Sequence, residues 1–293
     1  MQIDIFERCE NLTGERPLWV GETQTLWWID VFGRKLHRKL WGTSEREEWS
    51  LPANIGSLCL ERNGRILIAL QNAFFHFDLD RHTFDLVCFP DEAAAGNLRL
   101  NDGKTDGAGR FVCGGADYFR AQPIGGVYSL ERGICRSIAA PVIIFNGIAW
   151  SPDYDILYYA DSVRRIIYRS RYDLKTGNAA DREIFVTFPE DWGMPDGAAI
   201  DSEGYLWVAM VYGKKIVRLD PNGRIEHVID FPVVAPTSLA FGGDDLSTLF
   251  VTTKSRGKNG EGLEVEKGAG SVFMITGLGG VRGIPEPFGR PFK

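Results

Sequence analysis

The sequence of 293 residues lacks the segments by which membrane and secreted proteins are recognised. It has no run approaching the roughly 20 apolar residues that a membrane-spanning helix needs, and residues 1–8 hold no apolar stretch long enough for a signal peptide. Its five cysteines are an odd number without C-x-x-C spacing, which predicts reduced thiols rather than a disulfide framework. We therefore expect a cytoplasmic protein that does not contact a membrane.

A concentrated basic face is also missing. The formal net charge is −6 at pH 7, and the basic pairs Arg164–Arg165 and Lys214–Lys215 are isolated. Binding of nucleic acid requires Lys and Arg side chains gathered against the phosphates. We therefore expect no nucleic-acid partner.

Histidine is scarce, and the sequence holds no G-x-S-x-G motif. The four histidines fall on or beside the third and fourth strands of a repeat described below: His37, His76, His82 and His227. These positions predict surface or packing residues, and they argue against a Ser-His-Asp or Cys-His nucleophile.

Short strands separated by turns make up most of the sequence. Runs rich in Val, Ile, Trp, Tyr and Phe alternate with turns, and Gly alone accounts for 34 residues. Six segments repeat one pattern, and their second strands begin at residues 26, 66, 111, 157, 206 and 249. Such a period, with about four strands in each repeat, is typical of propeller blades. We predict an all-β, six-bladed β-propeller with four-stranded blades around a central channel, formed by residues 1–293 as one domain. A strand at residues 3–7 is expected to join the sixth blade.

Polar side chains recur at one phase of this repeat. Counting back 10 to 12 residues from each second strand gives Glu15, Asn54, Asn101, Asn146, Asp196 and Thr237. Any one Asn-Gly or Asp-Gly pair alone reads as an ordinary turn. Residues at equal phase converge on the propeller axis, however, and two carboxylates brought together there would repel unless a cation joined them. Oxygen ligands favour Ca²⁺, Mg²⁺ or Mn²⁺, and Zn²⁺ is also compatible.

At these residues the sequence resembles the family of gluconolactonases, regucalcin (senescence marker protein) and the luciferin-regenerating enzyme. The matching segments start at Gly14, Asn101, Phe145, Pro195 and Phe241, in this order and at blade spacing. The resemblance implies one divalent cation held by a Glu, an Asn and an Asp, which by motif are Glu15, Asn146 and Asp196. It also implies that Arg99 and Asn101 face the substrate. Most members of the family hydrolyse sugar-acid lactones to aldonic acids.

Two segments depart from the family pattern and bear on the substrate. Arg16 stands where many relatives carry a small Gly, which predicts a cation beside the metal. The segment that starts at Gly114 differs from the Gly-Thr-Met run in which relatives often carry a substrate-contacting acid, and Asp117 is the nearest candidate for that acid. Further candidate rim contacts are Tyr118, Trp192, Lys254 and Arg256. If several of these cations line the pocket, a lactone bearing a sulfonate or phosphate becomes a substrate to test.

The leading hypothesis is therefore a metal-dependent lactonase acting on a small-molecule sugar lactone. The metal would polarise the carbonyl. Either Asp196 as general base or a hydroxide on the metal would deliver the water. Two alternatives stay open: a phosphotriesterase-like hydrolase using the same site, and a calcium-binding propeller without catalysis.

Overall fold

The computed structural model describes residues 1–91, 96–255 and 266–292. It contains six four-stranded antiparallel sheets arranged as the blades of a propeller, which confirms the predicted fold class. Each of the first five blades is formed by four consecutive strands, in order from the channel to the outside. Within the described residues, no helix is long and apolar enough to span a membrane.

Consecutive strands fill the blades in turn. Blade 1 holds β2 to β5 (Gly14–Val20, Thr25–Asp30, Lys35–Leu40, Arg46–Ser50), and blade 2 holds β6 to β9 (Ile55–Leu60, Ile66–Leu70, Ala73–Asp78, Thr83–Cys88). Blade 3 holds β10 to β13 (Leu98–Thr105, Phe111–Asp117, Gly125–Glu131, Ile134–Val142), and blade 4 holds β14 to β17 (Phe145–Trp150, Ile156–Asp161, Ile166–Asp173, Asn178–Thr187). Blade 5 holds β18 to β21 (Met194–Ile200, Leu206–Val211, Lys215–Leu219, Ile225–Asp230) and is preceded by a short 3-10 helix, Glu190–Trp192. Blade 6 holds β22 to β24 (Pro236–Gly242, Thr248–Thr253, Val272–Thr276) and β1 (Gln2–Glu7).

The two ends of the chain share the sixth blade. Strand β1 pairs antiparallel with β24, with Ile3 opposite Ile275 and Ile5 opposite Phe273. Ile3 and Ile5 also pack against the buried cluster between blades 5 and 6. The prediction that the N-terminal strand closes the ring is confirmed.

Apolar clusters between neighbouring blades form the core. One cluster joins Trp27 and Ile29 of blade 1 to Ile66 and Ile68 of blade 2, and similar clusters lie between the following blades. Each sheet is therefore covered on both faces by its neighbours, which is why a single blade would not be stable alone.

Every innermost strand carries a register shift at the level of the candidate site. The pairing with the second strand is interrupted after Glu15, Ile55, Leu100, Asn146, Pro195 and Pro236. Such bulges redirect side chains, so residues near the start of the strand turn towards the axis. The candidate residues other than Asn54 thus lie within the innermost strands.

The glycines after two of the candidate residues allow the inner strands to approach closely. Gly147 has a φ of +59°, and a Cβ there would lie 2.7 Å from the carbonyl oxygen of Asp196. A Cβ on Gly197 would lie 2.1 Å from Oγ of Ser238. The Asn-Gly and Asp-Gly pairs are therefore sites of contact between blades, and the interpretation as ordinary turns is wrong.

A C-terminal strap, residues 283–292, crosses the opposite mouth of the channel. Its backbone bonds to Leu246 in blade 6, to Leu60 in blade 2 and to Gly109 in blade 3. A space of about 610 Å³ lies beneath it, lined largely by aromatic and apolar side chains, and Glu286 is its only acidic lining residue in the described chain. The strap therefore blocks the channel at the end away from the candidate site.

Candidate metal centre and substrate pocket

The residues predicted to bind metal line one cavity at the open mouth of the channel. The cavity encloses about 550 Å³. Its wall includes six of the residues singled out in the sequence: Glu15, Arg99, Asn101, Asn146, Asp196 and Lys254. Four of them share the repeat phase and come from blades 1, 3, 4 and 5, so this phase identified side chains that are distant in sequence and close in space.

The carboxylates of Glu15 and Asp196 line the same cavity, and burial and neighbouring charges shift the pKa of both. The pKa of Asp196 is raised to about 8, chiefly by burial; Lys254 opposes the change, and Asp102 adds to it. Burial and then the charge of Asp196 raise the pKa of Glu15 well above its ordinary value, although the side chain keeps some exposed surface at the cavity wall. Both charged forms are disfavoured until a cation compensates them.

Asp196 has an oxygen atom that the protein leaves unused. Its Oδ1 is buried and has no hydrogen-bond partner in the described chain. The Glu15 carboxylate likewise accepts no hydrogen bond from the described residues, whereas the carboxylate of neighbouring Asp102 accepts from the backbone amides of Gly103 and Ile148 at 2.8 and 3.3 Å. Because an unpaired buried carboxylate oxygen is costly, the free oxygens of Glu15 and Asp196 are available to a ligand.

Asn146 is held by a chain of hydrogen bonds that crosses three blades. Asn101 Nδ2 donates to Asn146 Oδ1 at 2.6 Å, and Asn146 Nδ2 donates to Ser162 Oγ at 2.9 Å. Ser162 Oγ in turn donates to the carbonyl oxygen of Pro195 at 2.6 Å. Since an amide oxygen has two lone pairs, Asn146 Oδ1 keeps one for a further partner. Ser162 was missed in the sequence, where only its place directly after the second strand of blade 4 marks it.

These donors fit a hard divalent cation. Two carboxylates and an amide oxygen form an all-oxygen set of the kind that Ca²⁺ and Mg²⁺ prefer. No three His, Cys, Asp or Glu side chains cluster closely enough to hold a metal in the described residues, which is consistent with a set whose third member is an asparagine. The orphaned Oδ1 of Asp196 is the observation that favours such a ligand.

Arg99 and Asn101 form the wall beside this donor set. Arg99 Nη1 donates to Asn101 Oδ1, and the guanidinium lies 5.9 Å from the ring centroid of Phe32. Burial, followed by the nearby charge of Arg120, lowers the pKa of Arg99 to about 10, so this side chain stays cationic at neutral pH. Both predicted substrate contacts are therefore in the cavity.

The structure does not bring Arg16 to the cavity. Its side chain is 1% exposed and pairs with Glu286 of the strap, with Nη1 2.9 Å from Oε2. It also donates to Ser57 Oγ and to the carbonyl oxygen of Leu58. The bulge after Glu15 turns these adjacent side chains apart, so Arg16 lies deeper in the channel and is not a substrate contact.

Asp117 is also outside the cavity wall. Its carboxylate accepts from the backbone amides of Ala121 and Gln122 at 2.7 and 2.8 Å, and the bond from Gln122 is the main cause of its lowered pKa. Asp30 and Asp161 are likewise the last residues of the second strands of blades 1 and 4. Their carboxylates also accept hydrogen bonds from backbone amides of loops. The substrate role predicted for Asp117 is therefore replaced by a role in holding the 118–122 loop.

The other candidate positions divide between the wall and the surrounding structure. Lys254 lines the cavity and donates to the hydroxyl of Tyr212 at 2.7 Å. Thr237 bonds to the Gly14 carbonyl and to Thr252. Four candidates do not line the cavity: Asn54, Tyr118, Trp192 and Thr237. Arg256 lies outside the described residues.

Arg120 lines the cavity and was not predicted, because no repeat phase marks a side chain in the loop after β11.

The fold and the site define the class of protein: a six-bladed propeller with two carboxylates and an amide gathered at the mouth of its channel. Comparison with known proteins then gives the family. Residues 13–255 match the family described as the SMP-30/Gluconolactonase/LRE-like region, and the chain belongs to this family.

Individual relatives match along nearly the whole chain. Regucalcin of Gallus gallus is 35% identical over 280 residues, which cover 93% of this chain and 93% of that protein. A luciferin-regenerating enzyme has a TM-score of 0.90 and 26% identity, with 99% of both chains covered. Regucalcin of Agrobacterium tumefaciens str. C58, described as a calcium-binding protein, has a TM-score of 0.89 and 25% identity, with 98% of both chains covered. The resemblance predicted from the sequence is confirmed.

Proposed function

We propose that this protein is a metal-dependent lactonase that opens the ring of a sugar-acid lactone and releases the aldonic acid. The observation that carries the proposal is the buried, unpartnered Oδ1 of Asp196 in a cavity shared with Glu15 and Asn146. The family's description includes gluconolactonases, which supports this reaction class.

Glu15, Asn146 and Asp196 are the residues that would hold the cation. Their all-oxygen set favours Ca²⁺, in agreement with the calcium-binding description of the Agrobacterium relative. Mg²⁺ and Mn²⁺ suit the same ligands, and Zn²⁺ also accepts carboxylates. A divalent cation there supplies Lewis-acid polarisation of the lactone carbonyl and stabilises the charge that develops on its oxygen.

The chain's own residues bind the substrate and transfer the proton. Arg99 and Asn101 donate to the hydroxyls or the ring oxygen of the lactone, which fixes the ring against the wall. The Asp196 carboxylate accepts a proton from the attacking water as the bond from the water oxygen to the carbonyl carbon forms. The bond from that carbon to the ring oxygen then breaks, and the proton passes to the ring oxygen, which leaves a hydroxy acid.

A non-catalytic calcium-binding protein is the second candidate. The description of the Agrobacterium relative favours it, and the same three ligands would serve it. It predicts cation binding without turnover of any lactone. The phosphotriesterase-like alternative has no feature of its own in the described residues.

A pH-indicator assay over a panel of aldono-1,4- and 1,5-lactones separates these candidates. We expect acid release by the metal-loaded protein, loss of activity on chelation, and recovery when the cation is restored. Asp196→Asn should lower kcat by about 10²–10⁴-fold, the usual contribution of a general base. Asp153→Asn, at an exposed turn, is the matched control. Cation binding without hydrolysis of any lactone would support the non-catalytic alternative and exclude the lactonase.

A further inference from the structure

We propose that the substrate lactone carries an anionic substituent, such as a carboxylate, sulfonate or phosphate, which Arg120 and Lys254 bind across the mouth of the channel. The inference rests on the proposed lactonase function and specifies its substrate class. It begins from the three cationic side chains in the wall of the cavity: Arg99, Arg120 and Lys254.

The cations reach the cavity from opposite sides of the ring. Arg120 follows the second strand of blade 3, and Lys254 follows the second strand of blade 6. The innermost strands contact one another in sequence around the axis, so blades 3 and 6 face each other. A group bound between Arg120 and Lys254 would therefore lie over the mouth of the channel, next to the metal ligands.

In the described chain, neither cation forms an ion pair with the carboxylates below it. Within the described chain, no Lys or Arg nitrogen lies within 4.0 Å of the Glu15 or Asp196 carboxylate. Lys254 instead donates to the Tyr212 hydroxyl, and the described residues offer no ion pair to the guanidinium of Arg120. Many surface arginines of this protein do find a carboxylate, for example Arg38 and Arg169.

The loop that carries Arg120 is fixed by the protein. Asp117 accepts from the amides of Ala121 and Gln122, and the Arg120 amide donates to the carbonyl oxygen of Asp117 at 3.0 Å. These bonds hold the backbone on both sides of Arg120 at the cavity mouth. The side chain is therefore presented to the pocket by a built loop, although the residue itself is exposed.

Charge balance then requires an anion. Glu15 and Asp196 together match the two charges of the proposed cation, which leaves Arg99, Arg120 and Lys254 without a counter-charge in the pocket. Arg99 lies beside Asn101 and can meet the carboxylate that forms on ring opening. A neutral lactone over the mouth would give the charges of Arg120 and Lys254 no counter-charge, whereas an anionic substituent pairs with both. The whole protein carries a net charge of −6, so this group of cations is not part of a generally basic surface.

The test compares glucono-1,5-lactone with lactones of the same ring that carry a 6-phosphate, a 6-sulfonate or a 6-carboxylate. We expect kcat/KM to be at least about tenfold higher for one or more of the anionic lactones, and the three arms identify the anion. Arg120→Gln and Lys254→Met should each reduce that preference about tenfold, chiefly through KM. Arg132→Gln is the matched control, because Arg132 is exposed and its φ of 53° is close to the 56° of Arg120.

Binding of the product acids gives a readout that does not depend on turnover. Calorimetry should show tighter binding of the anion-substituted aldonic acid than of gluconate, and Arg120→Gln should remove the difference. Equal kcat/KM values for neutral and anionic lactones, unchanged by Arg120→Gln, would overturn the inference and leave the lactonase proposal intact. If no lactone is hydrolysed, the proposed function fails, and equal binding of the two acids would then reject the anion site separately.

Discussion

Asp196 and Asn146 differ in how much of their hydrogen-bonding capacity the protein itself uses. Asn146 is oriented by Asn101 and Ser162, whereas Asp196 leaves Oδ1 unpaired in the protein interior. An oriented neutral ligand beside an unsatisfied carboxylate is the arrangement expected of a cation site that keeps its geometry when empty.

The raised pKa of Asp196 predicts how the metal-free protein responds to pH. With a pKa of about 8 in the folded state and about 3.9 when unfolded, the folded state binds the extra proton between these values. The contribution of Asp196 to the stability of the metal-free protein should therefore decrease as the pH rises through this window, by up to about 1.4 kcal/mol per pH unit. Urea denaturation in chelator at pH 5 to 8 measures this slope.

Asp196→Asn removes one titrating group and should make the slope less steep, with the part due to Glu15 remaining, whereas Asp153→Asn should follow the wild type. The unfolding free energies of wild type and Asp196→Asn should differ by an amount that changes with pH. A constant difference from pH 5 to 8 would contradict the assignment of this pH dependence to Asp196.

Ser162 tests whether the orientation of Asn146 matters for binding. Ser162→Ala removes the acceptor of the Asn146 amide and the donor to the Pro195 carbonyl. We expect cation affinity to fall about 10- to 100-fold, as is usual when a group that orients a metal ligand is lost, with recovery in Ser162→Thr. Calorimetric titration of the cation gives the affinity. An unchanged affinity in Ser162→Ala would show that Asn146 needs no such support.

At the scale of strands, the period of the repeat predicted where each blade lies, and the bulges decided which side chains face the axis. Equal phase correctly brought Glu15, Asn146 and Asp196 to one cavity. It also selected Thr237, whose hydroxyl is used between strands. Register shifts depend on how neighbouring inner strands pack, so a single sequence does not reveal them.

Loop residues were the least predictable part of the site. Arg120 lies in a loop whose course depends on the cap made by Asp117, and Ser162 contacts Asn146 only through the pairing of β14 with β15. The partner of Arg16 was also hidden, because Glu286 lies 270 residues further along the chain. Contacts of this kind follow from the closed ring and carry no local sequence signal.

The strap gives a prediction at this scale. Glu286 accepts from buried Arg16 and from the Thr105 amide at 3.0 Å. Glu286→Gln should destabilise the protein by about 3 kcal/mol, because it leaves the Arg16 charge uncompensated inside the channel. Chemical denaturation measures the loss.

Glu190→Gln is the control, since it breaks an exposed ion pair with Arg165 and should change stability by less than about 1 kcal/mol. The double variant Arg16→Met with Glu286→Gln should recover part of the loss. Equal effects of the two single Glu→Gln variants would show that the strap does not depend on its buried charge pair.

At the scale of the whole molecule, the ring places the proposed ligands from blades 1, 4 and 5 in one cavity, and β1 closes the same ring at blade 6. A cation held in common by three blades would link parts of the chain that are about 180 residues apart. Binding should therefore stabilise the complete propeller against unfolding and not a single blade.

Thermal unfolding with and without cation measures this linkage. At a free Ca²⁺ concentration 100 times the dissociation constant, the expected gain in unfolding free energy is about 2.7 kcal/mol. The unfolding transition should shift as one unit when probed by tryptophan fluorescence and by far-UV circular dichroism. Stabilisation seen by only one probe would indicate a local effect and contradict a ligand shared between blades.

Calorimetric titration of Ca²⁺ into chelated protein tests the metal centre most directly. We predict one ion bound per chain by the wild type, an affinity at least about tenfold weaker in Glu15→Gln, and an unchanged affinity in Glu22→Gln, an exposed control on the same blade. Wild-type affinity in Glu15→Gln would contradict the assignment of the cation to the shared mouth of the blades.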